Sequence, residues 1–272
     1  MLKQPHQQSP FYIGWMPKAA EEYRGFMRLI IFALLVVSVF VASFLVSNQR
    51  EFSTGIYERN QYTELEGLLI QKPFPAIKTY FGKDIYGNPV VKTIPLVNKG
   101  KFGADSVVAL MIAQHQSSDG NFLVEVKGRL IYNHGSVLME LTEDDASMHA
   151  TTTSAKDENL IASKTNDLGM VTLQGQIVDP KCYLGVMKPG EGKPHNDCAI
   201  RCISGGIPPV LKITNNHGEE KLFILRGPNG EVINKQVLDY IGVPVSIAGD
   251  VESVDDWYVL KVNPATGIKI IH

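Results

Sequence analysis

Cysteine is scarce in this 272-residue chain: there are three, all between positions 182 and 202. An odd number confined to one stretch excludes a complete disulfide framework of the kind that staples small secreted domains. Neither sign of charge is in excess, with 26 Lys and Arg against 28 Asp and Glu. A nucleic-acid partner is therefore not expected, because phosphate binding shows as a concentrated basic surface. There is no Gly-x-Ser-x-Gly elbow, phosphate-binding glycine loop or dinucleotide fingerprint. Six histidines (His6, His115, His134, His149, His217 and His272) are scattered, without the paired spacing of a catalytic metal site. The acidic pairs Asp144–Asp145 and Asp255–Asp256 read as solvated turns. These absences specify no enzyme class, and the reading leans to a non-catalytic protein.

One long apolar run is present. Leu29 to Val46, LIIFALLVVSVFVASFLV, carries no charge and only two serines. At about 1.5 Å per residue such a helix just spans a hydrocarbon core of roughly 30 Å. The competing readings are a buried core helix and a cleaved signal peptide. An all-round apolar helix has no polar face to turn outward in a small domain, and the following SNQREFS lacks a small-x-small cleavage site. The run is read as a transmembrane helix over 29–47, after a leader of 28 residues. Lys3, Lys18, Arg24 and Arg28 precede it, whereas Arg50 and Arg59 follow. That excess places the leader in the cytoplasm and the remainder in the periplasm of a bacterium, with the anchor in the inner membrane. Phe11, Tyr12 and Trp15 suit the membrane interface or a partner membrane protein.

The rest of the chain reads as mostly β, with the same pattern twice. YTELEGLLIQKPFP (62–75) and FLVEVKGRLIYNHGSVLMELTE (122–143) are matched by MVTLQGQIVDPKC (170–182) and VSIAGDVESVDDWYVLKVNP (245–264). Each member is a period-2 run interrupted by one glycine, at 67, 128, 175 and 249, where a strand bends sharply. The expectation is two small OB-like open β-barrels, at 60–146 and 170–272, with a polar linker at 147–169. A short helix is expected over Asn234 to Gly242.

Chemical specificity is concentrated in CYLGVMKPGEGKPHNDCAIRCISGGIPP, where Cys182, His195, Cys198 and Cys202 are spaced Cys-x12-His-x2-Cys-x3-Cys. Three thiolates and an imidazole suit a tetrahedral zinc ion; copper or iron is the alternative. A metal clip would also order the Gly- and Pro-rich loop between the ligands. A disulfide with one thiol left over competes with this reading, as does redox exchange through Cys198 and Cys202. Met187 is a candidate soft ligand, although a lone Met is more often packing. A Rieske centre needs a second histidine, and haem attachment needs Cys-x-x-Cys-His. Asp179 suits turn formation before Pro180, or service as a partner that orients His195.

The string from Gly175 to Pro209 resembles a pattern in poorly characterised bacterial exported or membrane-anchored proteins. In that pattern a Gly-x-x-x-Asp-x-x-Cys strand precedes a His, two cysteines and a Gly-x-Pro turn. The resemblance covers about 35 residues and implies that Asp179 and the four ligands act as one unit; it supplies no reaction. The expectation is a membrane-anchored accessory or assembly subunit that docks on a larger membrane or periplasmic complex. The alternative is a periplasmic metal-handling or electron-transfer protein.

Overall fold

A computed structural model describes residues 21–48, 54–114, 123–142, 147–151, 160 and 164–271. Phe11, Tyr12, Trp15, His6, His115, His272 and the Asp144–Asp145 pair lie outside them. The chain divides into two compact units, residues 1–51 and 52–272.

The first unit holds helix α1, Glu21–Asn48. Its Tyr23–Asn48 portion is long and apolar enough to cross a membrane. The side chains from Leu29 to Val46 are exposed all round, Phe40 to 71%. Leucines, valines and phenylalanines presented on every face are what a lipid environment accepts and water does not.

The second unit is built from strands. In chain order these are β1 (Ile56–Tyr57), β2 (Thr63–Ile70), β3 (Ala76–Lys83), β4 (Pro89–Val97), helix α2 (Asp105–Gln114), β5 (Leu123–Asn133), β6 (Ser136–Leu141) and β7 (Met148–Ala150). A second series follows: β8 (Thr165–Val178), helix α3 (Asn196–Ser204), β9 (Val210–Thr214), β10 (Glu220–Arg226), a 3-10 helix (Asn234–Tyr240), β11 (Pro244–Val254), β12 (Trp257–Lys261) and β13 (Ile268–Ile270). Strands β2 to β6 close on themselves in the order β5-β2-β3-β4-β6, with β6 returning to β5. Strands β8 to β12 do the same in the order β11-β8-β9-β10-β12. In both, the third and fifth strands run parallel, Leu96 beside Met139 and Leu225 beside Leu260. A helix lies between the third and fourth strands of each. The chain therefore folds as two five-stranded barrels of the OB type.

The glycines that mark the repeat sit where barrel strands come closest. A Cβ at Gly67 would lie 2.3 Å from the Lys78 carbonyl oxygen, and one at Gly175 would lie 2.1 Å from that of Lys212. The registers correspond, since Leu68 faces Lys78 as Gln176 faces Lys212. Gly128 and Gly249 are crowded in the same way by the carbonyls of Glu140 and Lys261. Only glycine permits such an approach, so each marks a bend needed for closure.

Each barrel fills its interior with alternating residues: Ile77, Ile94 and Val126 in the first, Leu211, Val245 and Leu260 in the second. A further buried cluster joins them, with Phe74, Ile131 and Leu138 of the first packed with Leu184, Trp257 and Val259 of the second. Polar ties reinforce this junction. Lys78 Nζ reaches Asp255 at 2.8 Å, and Trp257 Nε1 donates to the Thr93 carbonyl at 2.8 Å. Arg226, almost fully buried, donates to the Pro73 carbonyl at 2.7 Å. The Asp255–Asp256 turn is accordingly no solvated loop at Asp255, whose side chain is 9% exposed. Within 147–169, Met148–Ala150 pair with β5, and Leu160 packs on Leu68 and Leu123. A three-residue strand is too short to show a period in sequence. Asn234–Tyr240 is helical as expected, in 3-10 form.

Candidate metal centre

The cluster lies in the excursion between β8 and β9, the first and second strands of the second barrel. Strand β8 delivers Asp179, which is fully buried. Asp179 Oδ1 accepts from the Lys181 N–H at 2.9 Å, and its carbonyl accepts from the Tyr183 N–H at 3.0 Å. These bonds turn the chain into a wide helical turn, Cys182–Val186, with Cys182 at its start. The Gly- and Pro-rich loop then returns through the 3-10 turn Lys193–His195 and runs directly into α3. Cys198 and Cys202 are four residues apart on α3 and so share one helical face. Asn234 anchors the end of α3 by donating to the carbonyls of Ile203 and Ile207 at 2.7 and 2.9 Å.

Two overlapping triads result. The ligand atoms of Cys182, His195 and Cys198 lie within 4.8 Å of one another, and so do those of Asp179, Cys182 and Cys202. Cys182 is common to both. The folded chain thus forms a Cys/His cluster with an acidic neighbour that could hold a metal ion. All three cysteines are free. Cys182, Cys202 and His195 are buried, while Cys198 is partly exposed.

The electrostatics favour a cation here. His195 Nε2 and Asp179 Oδ2 are both buried without a hydrogen-bond partner, a costly condition unless something else satisfies them. Burial holds His195 below its ordinary value, with Lys101 adding to the effect and Asp179 opposing it. Burial thus favours the neutral imidazole, the form that binds metals. The contact with Cys202, burial and the Asp179 carboxylate all push the Cys182 thiol up. A bound cation would reverse that tendency by favouring the thiolate.

Two further residues belong to the site. Asp179 serves the turn through Oδ1, as the turn reading expects, and its carboxylate also lies beside the sulfurs of Cys182 and Cys202. Lys101 comes from the loop after β4 in the first barrel, and its Nζ lies 3.0 Å from Cys198 Sγ. Nothing local in the sequence marks it, because it is 97 residues away from its partner. Its loop is docked on the excursion by the Gly103 N–H donating to the Gly205 carbonyl at 3.0 Å. Met187 is 44% exposed and outside both triads. Among the other described histidines, none joins such a group. The chain matches no protein-family model, no curated protein and no solved structure, so the site is read from its own chemistry.

Proposed function

We propose that this protein is a membrane-anchored accessory or assembly subunit whose second barrel is stapled by a structural zinc ion. The ion is bound by Cys182, His195, Cys198 and Cys202, with Asp179 beside them. The observation that carries this reading is the buried His195 Nε2, left without a hydrogen-bond partner among cysteines at the junction of two barrels. A carrier or redox site needs an open path for its ion or electron partner. A cluster in which Cys182, Cys202 and His195 are buried against the junction core, with Cys198 alone partly exposed, instead supports a resident ion that contributes to folding.

The anchor is α1. The excess of Lys and Arg ahead of it supports a cytoplasmic N-terminus and periplasmic barrels in a bacterial inner membrane. OB-type barrels commonly serve as binding modules, and with no catalytic constellation in the sequence the chain is assigned a docking role on a larger membrane or periplasmic complex.

Elemental analysis of the purified full-length chain, with thiols counted under denaturing conditions, tests the metal. The expected result is about one zinc per chain, as a closed four-ligand site requires, and three titratable thiols matching the three free cysteines. Copper or iron would transfer the chain to the metal-handling reading. A single thiol and no metal would mean a disulfide and end the proposal.

A further inference from the structure

The two barrels build the same turn between their second and third strands. In the first barrel, the Asp84 N–H donates to the Asn88 carbonyl (2.9 Å) and the Gly87 N–H to the Asp84 carbonyl (3.0 Å). Asp84 Oδ1 also accepts from the N–H groups of Tyr86 (2.9 Å) and Asn88 (2.8 Å). In the second barrel the Asn215 N–H donates to the Glu219 carbonyl (2.9 Å) and the Gly218 N–H to the Asn215 carbonyl (3.0 Å). Asn215 Oδ1 accepts from the N–H groups of His217 and Glu219, both at 2.9 Å. Gly87 and Gly218 have matching φ values of 86° and 80°.

What differs is the pair at the tip. The second barrel carries Asn216 and His217, ordinary solvent-facing residues. The first carries Ile85 and Tyr86, 91% and 82% exposed. The turn itself does not call for apolar residues, since the second barrel makes it with polar ones. Ile85 and Tyr86 are therefore not needed by the turn and are free to make a contact of their own.

The hairpin tip shares one end of the barrel with the point where the chain enters it. The chain arriving from α1 enters the first barrel at Thr54, whose hydroxyl is 3.1 Å from Asn133 Oδ1 at the β5–β6 turn. Strand β4 runs parallel to β6, so the β3–β4 tip lies at the same end of the barrel as that turn. Lys92 Nζ reaches the Gly135 carbonyl at 3.0 Å, and beyond Lys92 the hairpin continues by about 15 Å of extended strand. Five residues separate Asn48 from Thr54, a tether of at most about 20 Å. The exposed tip thus projects from the barrel end to which a membrane helix is covalently tied.

We propose that Ile85 and Tyr86 form a second membrane contact, inserting into the interfacial layer of the bilayer that holds α1. Ile85 supplies the apolar wedge, and the Tyr86 ring sits with its hydroxyl at the headgroup level. Within the turn, the hydrogen bonds of Asp84 satisfy backbone groups that would otherwise be costly to bring into a poorly hydrated layer. Lys83 and Asp84 cancel in charge, so the contact needs no anionic lipid. It rests on the reading of α1 as a membrane anchor.

The test uses the full-length chain in vesicles of phosphatidylcholine, with and without chain-brominated phosphatidylcholine. The chains compared are the parent, Tyr86→Trp and His217→Trp. Bromine quenches an indole only within the bilayer. After subtraction of the parent's emission, the indole at position 86 should lose roughly twofold or more of its emission, as expected of an interfacial aromatic. The indole at 217 should lose none. Resistance to alkaline carbonate extraction, measured on the same vesicles, reports the anchor separately. A carbonate-resistant chain whose indole at 86 is unquenched overturns the hairpin contact alone and assigns the tip to a protein partner. A chain extracted by carbonate overturns the anchor, and the hairpin contact with it.

Discussion

Lys101 is the residue whose role is sharpest for being unexpected. Its ammonium meets the Cys198 sulfur from the other barrel, and that contact raises the Lys101 pKa above its ordinary value. In the proposed site, three thiolates around a divalent cation would leave an excess negative charge, to which the Asp179 carboxylate adds, and Lys101 would offset part of it. Outer partners of this kind typically contribute 10–100-fold to metal affinity. Lys101→Met is therefore expected to lower zinc affinity by about 10–100-fold while the fold persists, measured by competition with a chromophoric chelator. Affinity unchanged by the substitution would reduce Lys101 to a packing residue. The four proposed ligands were legible in the sequence because they fall within 21 consecutive positions, 182–202, where spacing alone limits the geometry. Lys101 was not, because its meeting with Cys198 depends on how two barrels pack. Asp179 was half legible, its turn chemistry visible before Pro180 and its second oxygen not.

At the scale of elements, the β11–β12 turn shows how one barrel grips the other. Asp255 places its carboxylate against Lys78 on β3, and also accepts from the Thr93 hydroxyl at 2.9 Å and the Lys164 N–H at 3.1 Å. Burial alone would raise this carboxyl, yet the bonds from Lys78, Lys164 and Thr93 outweigh it and hold Asp255 below the usual carboxylate value. Removing one member of a buried pair costs about 3–5 kcal/mol, because the other charge is left uncompensated. Asp255→Ala should show that loss near neutral pH as a lowered thermal midpoint. A carboxyl whose folded pKa is depressed contributes fully above its unfolded value, and that contribution fades as pH falls through the folded one. The deficit should therefore shrink below about pH 4. A deficit that stays constant into strong acid would mean the ion pair is not its source. Of the strands involved, β11 and β12, which flank Asp255, were readable from their alternation around Gly249, whereas β3 and β4, which carry Lys78 and Thr93, lie outside the runs read from the sequence. The inward turn of Asp255 was not readable either, since adjacent acidic residues in a turn look alike whether they face water or a lysine.

At the scale of the whole molecule, the repeat suggests two independent barrels, and the packing argues otherwise. Phe74, Leu138, Leu184 and Trp257 belong to one buried cluster that draws on both barrels, and Cys182 and Cys202 lie within it. Lys181, from the second barrel, is buried against Glu140 of the first at 2.7 Å and also donates to the carbonyls of Asn98 and Gly100. Separating the barrels would break the Lys181–Glu140 and Lys78–Asp255 ion pairs and expose the cluster to water, penalties that add to any cost of unfolding one barrel alone. The barrels should therefore unfold in a single transition, with the calorimetric and van't Hoff enthalpies in agreement. Trp257, the only described tryptophan, bonds to Thr93 across the junction, so its fluorescence should change at the same temperature. Stripping the proposed metal would remove a ligand of the native state alone and should lower that one midpoint, by about 2–4 °C for each kcal/mol lost in a body of this size. If chelation instead splits the melt, with one barrel unfolding early and the other unmoved, the cluster stabilises only the barrel that carries it. The centre would then be a clip on a loop, and the junction would owe its stability to Phe74, Trp257 and the buried ion pairs.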